Sequence, residues 1–268
     1  MDERIGFIGC GKMGKAIMAG MLKAGVVLNE NILVSTRRES TLIEIEEHYQ
    51  VKGSLHNQEV AEWSDILFLA VHPADHVQVL AEIKGSLKEN AVIITMAAGI
   101  TIEQVENGIG RSVKVVRTMP NTPSLVGEGM TALSVNRFVT ENDLDLVLHL
   151  LNSFGKTEVI DEKLMDAVPA ISGSSPAYAY MFIEALADGG VRDGIPRVQA
   201  YRMAAQAILG AAKMVLETGK HPGVLKDDVC TPGGSTIRAV AALEEKQFRA
   251  AILEAMKACT NKTKGIGE

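Results

Sequence analysis

The stretch Ile5-Gly6-Phe7-Ile8-Gly9-Cys10-Gly11-Lys12-Met13-Gly14 decides the fold. A short apolar run meets glycines at Gly9, Gly11 and Gly14, and a good helix-forming segment, Lys15 to Lys23, follows. That is a strand, a tight turn and a helix start. The first glycine permits the sharp bend, the second lets the backbone approach a pyrophosphate, and the third lets the helix pack close to the strand. A helix start has free N–H groups and the positive end of the peptide dipoles, so it holds an anion. The expectation is a dinucleotide-binding unit; the alternative is a glycine turn in an empty α/β unit.

Working outward, Asn31-Ile32-Leu33-Val34-Ser35 reads as a second strand. Its end lies about 20 residues beyond Gly14, where NAD enzymes place an acidic residue on the ribose 2′-hydroxyl. This chain has Ser35-Thr36-Arg37-Arg38 there. A carboxylate would repel a 2′-phosphate, whereas hydroxyls and guanidinium groups would hold it. The reading is NADPH, with NADH possible, and Arg37 is a candidate contact. The alternative is that Arg37 and Arg38 only solvate a loop before a helix near residues 39–49.

Further strands are expected at Ile66–Val71, Ala91–Thr95, Val113–Arg117, Met130–Val135 and Thr157–Ile160, with a helix over Glu141–Phe154. The Ile66–Val71 run is continuously apolar, as a strand buried on both faces should be. Strands alternating with helices imply a parallel, doubly wound sheet whose ligands bind at the carboxyl ends of the strands. Gly9–Gly14, Ser35, Val71–Pro73, Ala97–Gly99 and Met119–Pro123 would all lie on that edge. Pro120 and Pro123 make a stiff, extended loop there.

No strand pattern remains after about Asp161. Helices are expected over Glu162–Ile171, Pro176–Val191, Val198–Thr218, a segment running to Glu245, and Lys246–Lys264. From Met203 to Val215 only Gln206 and Lys213 are strongly polar. A helix apolar nearly all round must be buried on all sides. A second copy of the chain would cover it, giving an intertwined homodimer; the alternative is burial within its own chain. The domains expected are residues 1–160, a Rossmann-type nucleotide-binding sheet, and 161–268, an all-α substrate-binding and dimerisation domain.

Between these helices, Thr231-Pro232-Gly233-Gly234-Ser235-Thr236 is a loop entering a helix. Ser235 or Thr236 can cap that helix. A functional reading makes Gly233, Gly234, Ser235 and Thr236 an anion nest suited to a carboxylate. Ser172-Gly173-Ser174-Ser175-Pro176 is a second hydroxyl-rich helix start. Together they suggest a small, polar, anionic substrate, with Ser174 among its contacts.

Of 268 residues, 47% are hydrophobic and 22% charged, ordinary for a globular protein. The net charge of -6, with no basic run, argues against a nucleic-acid partner. No apolar run approaches a membrane span. The charged start, Met1-Asp2-Glu3-Arg4, argues against a signal peptide. Cys10, Cys230 and Cys259 form no C-x-x-C pair, which fits free thiols in a reducing cytoplasm, and no metal site is expected.

The glycine turn, Val71-x-Pro73, Val116-Arg117-x-Met119-Pro120-Asn121-Thr122-Pro123, Ser172-Gly173-Ser174-x-Pro176-Ala177-Tyr178 and the Asp227–Thr236 segment with Pro232-Gly233-Gly234 occur in this order. So arranged, the chain closely resembles the pyrroline-5-carboxylate reductases over nearly its whole length. The resemblance implies reduction of Δ1-pyrroline-5-carboxylate to L-proline by NADPH or NADH, in an intertwined dimer that assembles further in some members. It implies that Ile8, Gly9, Cys10, Gly11, Lys12 and Met13 hold the pyrophosphate and Ser35 the 2′-phosphate end. Asn57, Ala70, Val71, His72 and Pro73 would lie along the cofactor, and Met96, Ala97 and Ala98 beside the nicotinamide. Glu162, Ser235 and Thr236 would touch the substrate; the bland alternative is that Glu162 only begins a helix. The chain departs from the commoner pattern at His72, Ser175 and Asp228, where Lys, Gly and Asn are frequent. Asp228 puts a cofactor contact there in doubt.

No His, Lys or Cys stands in the substrate motifs as a general acid, so positioning and electrostatics are expected to carry the reaction. Thr236 is the catalytic candidate, its hydroxyl bonded to the ring nitrogen. A β-hydroxyacid dehydrogenase would need a Lys soon after the Ser-Gly region, and the first Lys after Gly173 is Lys213. A cofactor-sensing binding protein is the rival from a different class.

Overall fold

Strand β1 (Ile5–Ile8) is buried along its whole length and lies at the middle of the nucleotide-binding half of an eight-stranded sheet. The structure is a computed structural model that describes residues 3–265. Strand order is β3-β2-β1-β4-β5-β6-β7-β8, with β2 (Ile32–Ser35), β3 (Lys52–Ser54), β4 (Ile66–Leu69), β5 (Val92–Thr95), β6 (Lys114–Met119), β7 (Gly129–Val135) and β8 (Gly155–Val159). The order reverses between β1 and β4, which is where a doubly wound sheet opens its crevice. Register puts Ile8 beside Ser35 and Leu69, Leu69 beside Thr95, and Thr95 beside Arg117. The carboxyl ends of five strands therefore finish in one row.

Helices cover both faces because each strand turns alternate apolar side chains to opposite sides. Phe7, Phe68, Ile94 and Val116 stand side by side on one face. They pack with α1 (Lys12–Lys23), α2 (Glu39–Tyr49) and α6 (Glu141–Leu151) through Ile17, Met18, Ile45 and Leu150. The Phe7 and Phe68 rings stack at 4.8 Å. On the other face Leu67, Ile93 and Val115 meet α3 (Asn57–Trp63), α4 (His76–Ile83) and α5 (Ile102–Ile109) through Val60, Leu80 and Val105. Each such large side chain contributes about 1.5–3 kcal/mol by leaving water.

One expectation about the sheet is corrected. It is not parallel throughout: β7 runs antiparallel to β6, while β8 is parallel to β7. The connection from β6 to β7, residues 120–128, is too short for a parallel crossover, which takes about a dozen residues or more.

By Cα packing the chain divides into two units, residues up to 173 together with those from 260 onward, and 174–259. The segment expected as one helix over Glu162–Ile171 is instead a 3-10 stretch, Glu162–Ala167, followed by a π-helical turn, Pro169–Gly173. The second unit holds α7 (Ser175–Arg192), α8 (Arg197–Thr218), α9 (Pro222–Val229), α10 (Ser235–Glu245) and most of α11 (Phe248–Thr263). Helix α8 is only partly buried within its own chain: Ala200 and Ala204 are covered, while Val198 is 62% exposed, Met203 61% and Leu216 80%. Among the described residues no helix is long and apolar enough to cross a membrane, and no three His, Cys, Asp or Glu side chains gather as a metal site.

Candidate active site

The row of strand ends carries a groove of about 590 Å³ lined by Gly9, Cys10, Gly11, Thr36, Arg37, Arg38, Thr41, Ala70, Val71, His72 and Asp75. The glycines behave as their spacing requires. Gly9 has φ +77°, and a Cβ there would stand 2.7 Å from Val71 Cγ1 and 2.9 Å from the Ala70 carbonyl oxygen. A Cβ on Gly14 would be 3.2 Å from Ala70 Cβ, so this position sets how near α1 lies to the end of β4. A Cβ on Gly11 would meet no protein atom within 4 Å. The cradle it opens is space for a ligand, and it lies at the N-cap of α1, where no side chain bonds the first turn. The leading N–H groups of Lys12, Met13 and Gly14 are thus available to a phosphate. The fit to a dinucleotide pyrophosphate is good.

Cys10 is buried, and that burial pushes its thiol up to about 12, with Lys15 opposing and Glu44 adding to the effect. It serves as a small apolar side chain in the turn. Ser35 and Asn57 are brought together, but with each other: Ser35 is fully buried and its hydroxyl donates to Asn57 Oδ1 at 2.7 Å, while Asn57 Nδ2 donates to Glu82 Oε2 at 2.9 Å. Thr36, Arg37, Arg38 and Thr41 are the side chains that line the groove at that end. Thr41 and Asp75 are site residues that sequence reasoning misses. Asp75 pairs with Arg37 Nη2. His72 caps the short 3-10 turn Pro73–Asp75, its Nδ1 accepting the Ala74 N–H at 3.3 Å.

Further along the row, Met96, Ala97 and Ala98 leave β5 toward Gly99, whose φ is +78°. A small cavity of about 10 Å³ there is lined by Ala97, Ala98, Gly99, Thr118, Met119 and Asp166, with Arg117 at its wall. Glu162 is placed by two donors: its Oε1 accepts the Ile102 N–H at 2.8 Å, at the start of α5, and Arg117 Nη1 at 3.3 Å. Arg117 Nη2 donates to Asp166 Oδ1 at 2.7 Å. Asn121 holds the proline-flanked loop, donating to the Ser172 carbonyl and accepting the Met130 N–H, both at 2.9 Å.

In the second unit, Thr231 to Gly234 is a tight turn closed by the Gly234 N–H on the Thr231 carbonyl at 3.0 Å. Gly233 has φ +72°, and a Cβ on Gly234 would stand 2.4 Å from Thr231 Oγ1. One expectation is corrected here. Neither Ser235 nor Thr236 caps α10: the N-cap is Gly234, with no side-chain cap bond. Backbone N–H groups and two hydroxyls therefore gather in its first turn. Ser174, the other hydroxyl candidate of this unit, is 3.2 Å from Cys259 Sγ.

An open glycine cradle at the reversal of a doubly wound sheet, with small residues at the end of β5, defines a nicotinamide-dinucleotide oxidoreductase. Residues 4–99 match the family described as NADP oxidoreductase, coenzyme F420-dependent, and residues 162–266 that described as pyrroline-5-carboxylate reductase dimerisation. A pyrroline-5-carboxylate reductase of Escherichia coli strain K12 is 48% identical over 268 residues, all of both chains. The solved pyrroline-5-carboxylate reductase of Coxiella burnetii superposes with a TM-score of 0.92 at 31% identity, covering 100% of each chain. That of Plasmodium falciparum, with NADP bound, gives 0.89 at 34%, covering 100% of this chain and 99% of its own. The chain belongs to the pyrroline-5-carboxylate reductase family, and is an NAD(P)H-using enzyme of that family.

Proposed function

We propose that the chain reduces Δ1-pyrroline-5-carboxylate to L-proline, with NADPH favoured over NADH. The observation that carries the cofactor side is the Gly11 cradle at the start of α1, and full-length kinship with named reductases supports the substrate. When bound, NAD(P)H supplies a hydride to C5 of the cyclic imine, whose nitrogen is protonated.

The chain's own residues bind and orient. Backbone from Ile8 to Gly14 holds the pyrophosphate by its N–H groups and the α1 dipole. Arg37, beside Thr36 and Arg38, meets the 2′-phosphate; Ser35 and Asn57 shape the groove floor from beneath it. Ala70, Val71, His72 and Pro73 lie along the nucleotide, and Met96, Ala97 and Ala98 support the nicotinamide. The N–H groups of Gly233, Ser235 and Thr236 bind the substrate carboxylate, with Gly234 shaping the turn that presents them, the Thr236 hydroxyl bonds the ring nitrogen, and Ser174 is a further polar contact. Glu162 acts as a positioning residue through Ile102 and Arg117.

The exposed apolar side chains of α8 support a homodimer, or a higher assembly of such dimers, in which a second copy covers that helix. Loss of reduced-nicotinamide absorbance, followed with and without pyrroline-5-carboxylate, tests the activity. Oxidation that does not depend on the imine rejects it. Light scattering on the eluting protein tests the dimer; a monomeric mass rejects it.

A further inference from the structure

Asp75 is the acidic side chain among those lining the groove over the glycine turn. It closes the 3-10 turn after β4 and occupies the N-cap position of α4, yet makes no side-chain cap bond there. Its carboxylate is instead paired with Arg37. Arg37 follows β2, and β1 lies between β2 and β4. The pair therefore spans the groove above the end of β1. The Asp75 side chain is 29% exposed and that of Arg37 74%, so the pair is reached from solvent and Arg37 is the more accessible partner.

We propose that Asp75 determines cofactor specificity: it holds Arg37 in an ion pair that a ribose 2′-phosphate must displace, and so narrows the preference for NADPH over NADH. This rests on the groove being the nucleotide site. Asp75 takes the Nη2 end of Arg37, so a phosphate that uses both terminal N–H groups as a bidentate fork must displace the carboxylate from it. A 2′-hydroxyl makes no such demand, and the pair persists beside NADH. A carboxylate close to a dianionic phosphate also repels it. Both effects weigh on NADPH alone. His72 offers no relief through Nδ1, which is occupied as acceptor of the Ala74 N–H.

The test uses the full chain at one fixed ionic strength. Dissociation constants for adenosine 2′,5′-bisphosphate and for AMP are measured by calorimetry on the wild type, Asp75→Asn, Arg37→Ala and the double variant. The NADPH and NADH KM values are measured alongside. Asp75→Asn is expected to tighten the 2′-phosphorylated nucleotide about three- to tenfold relative to AMP, the size set by a partly exposed ion pair plus one removed charge. The KM ratio should shift in the same sense. In the Arg37→Ala background the gain should fall below about twofold. No shift, an equal shift for both nucleotides, or a full gain without Arg37 each overturns the proposal. A wild type that binds neither nucleotide removes the groove as nucleotide site, and this proposal with it.

Discussion

Arg117, only 5% exposed on β6, donates from Nη1 to Glu162 Oε1 at 3.3 Å, and the same oxygen accepts the first N–H of α5. One guanidinium thus ties the end of β6 to residues 162–167 and, through Glu162, to the helix that follows the loop after β5. Removing the cation leaves Asp166 without its ion pair and Glu162 with the Ile102 N–H alone. Fully buried pairs lose about 3–5 kcal/mol when one member goes, but these carboxylates are 33% and 40% exposed. Screening lowers the expected cost of Arg117→Met to about 1–3 kcal/mol. Denaturant midpoints check this. Arg117→Lys should recover only part, since an ammonium cannot serve both carboxylates as a planar fork does. Equal midpoints for wild type and Arg117→Met would deny the clamp.

His76 is 1% exposed and lies between two strand ends, Nδ1 3.2 Å from the His72 carbonyl and Nε2 3.1 Å from Thr95 Oγ1. A carbonyl only accepts, so Nδ1 carries the proton; in the neutral ring Nε2 then accepts from Thr95. Burial holds this imidazole below its ordinary 6.5, against the smaller pull of the His72 carbonyl and Asp75. Below 6.5, down to the lowered folded value, the unfolded chain binds a proton that the folded chain does not. Stability present above that window is lost as pH falls through it. Between about pH 7.5 and 5.5 the wild-type Tm should fall more steeply than that of His76→Gln, which removes the titrating ring. Parallel slopes would show that His76 contributes nothing to the acid loss.

The strands β1, β2, β4, β5 and β6 are legible in the sequence because they are apolar runs, as burial on both faces demands. Strand β3 carries no such run. It is three residues long, and a Cβ on its Gly53 would come 1.9 Å from Leu42 Cδ1, so packing by α2 shapes it rather than its own propensity. Helix α5 did have a signal that the strand pattern hides: Thr101 and Gln104 form a capping box ahead of Ile102, Val105 and Ile109. At the site, the glycine turn is readable because three backbone demands fall within ten residues. Asp75 is not, since only tertiary placement brings it to the Arg37 end of the groove, and Thr41, though only four residues after Arg37, stands in no motif that would single it out. The partners of Glu162 lie 60 and 45 residues away and leave no local mark.

Cys10 stands in the glycine turn between β1 and α1, where a reactive thiol would be expected to control the enzyme. Its thiol is pushed up to about 12 by burial. Thiolate is the reacting form, so folded Cys10 should alkylate at least about tenfold more slowly than in urea-unfolded chain, the raised thiol and its burial acting in the same direction. Mass spectrometry of the peptide carrying Cys10 after timed iodoacetamide exposure at mild alkaline pH gives the two rates. Comparable rates would show that the turn opens freely in solution.

Thr236 occupies the first turn of α10, where Gly234 is the N-cap and no hydroxyl is committed to capping. Its Oγ can therefore be given to a ligand without loss to the helix, and Thr236→Ala should leave the Tm close to that of the wild type. If the hydroxyl bonds the ring nitrogen as the imine is reduced, its removal should lower kcat by about 10- to 1000-fold, the range seen when one polar transition-state contact is lost. The KM for the imine should move much less, because the contact strengthens only as charge and geometry change at nitrogen. Thr236→Ser should restore most of the rate. A raised KM at unchanged kcat would instead make Thr236 a ground-state contact, and unchanged kinetics would remove it from the site.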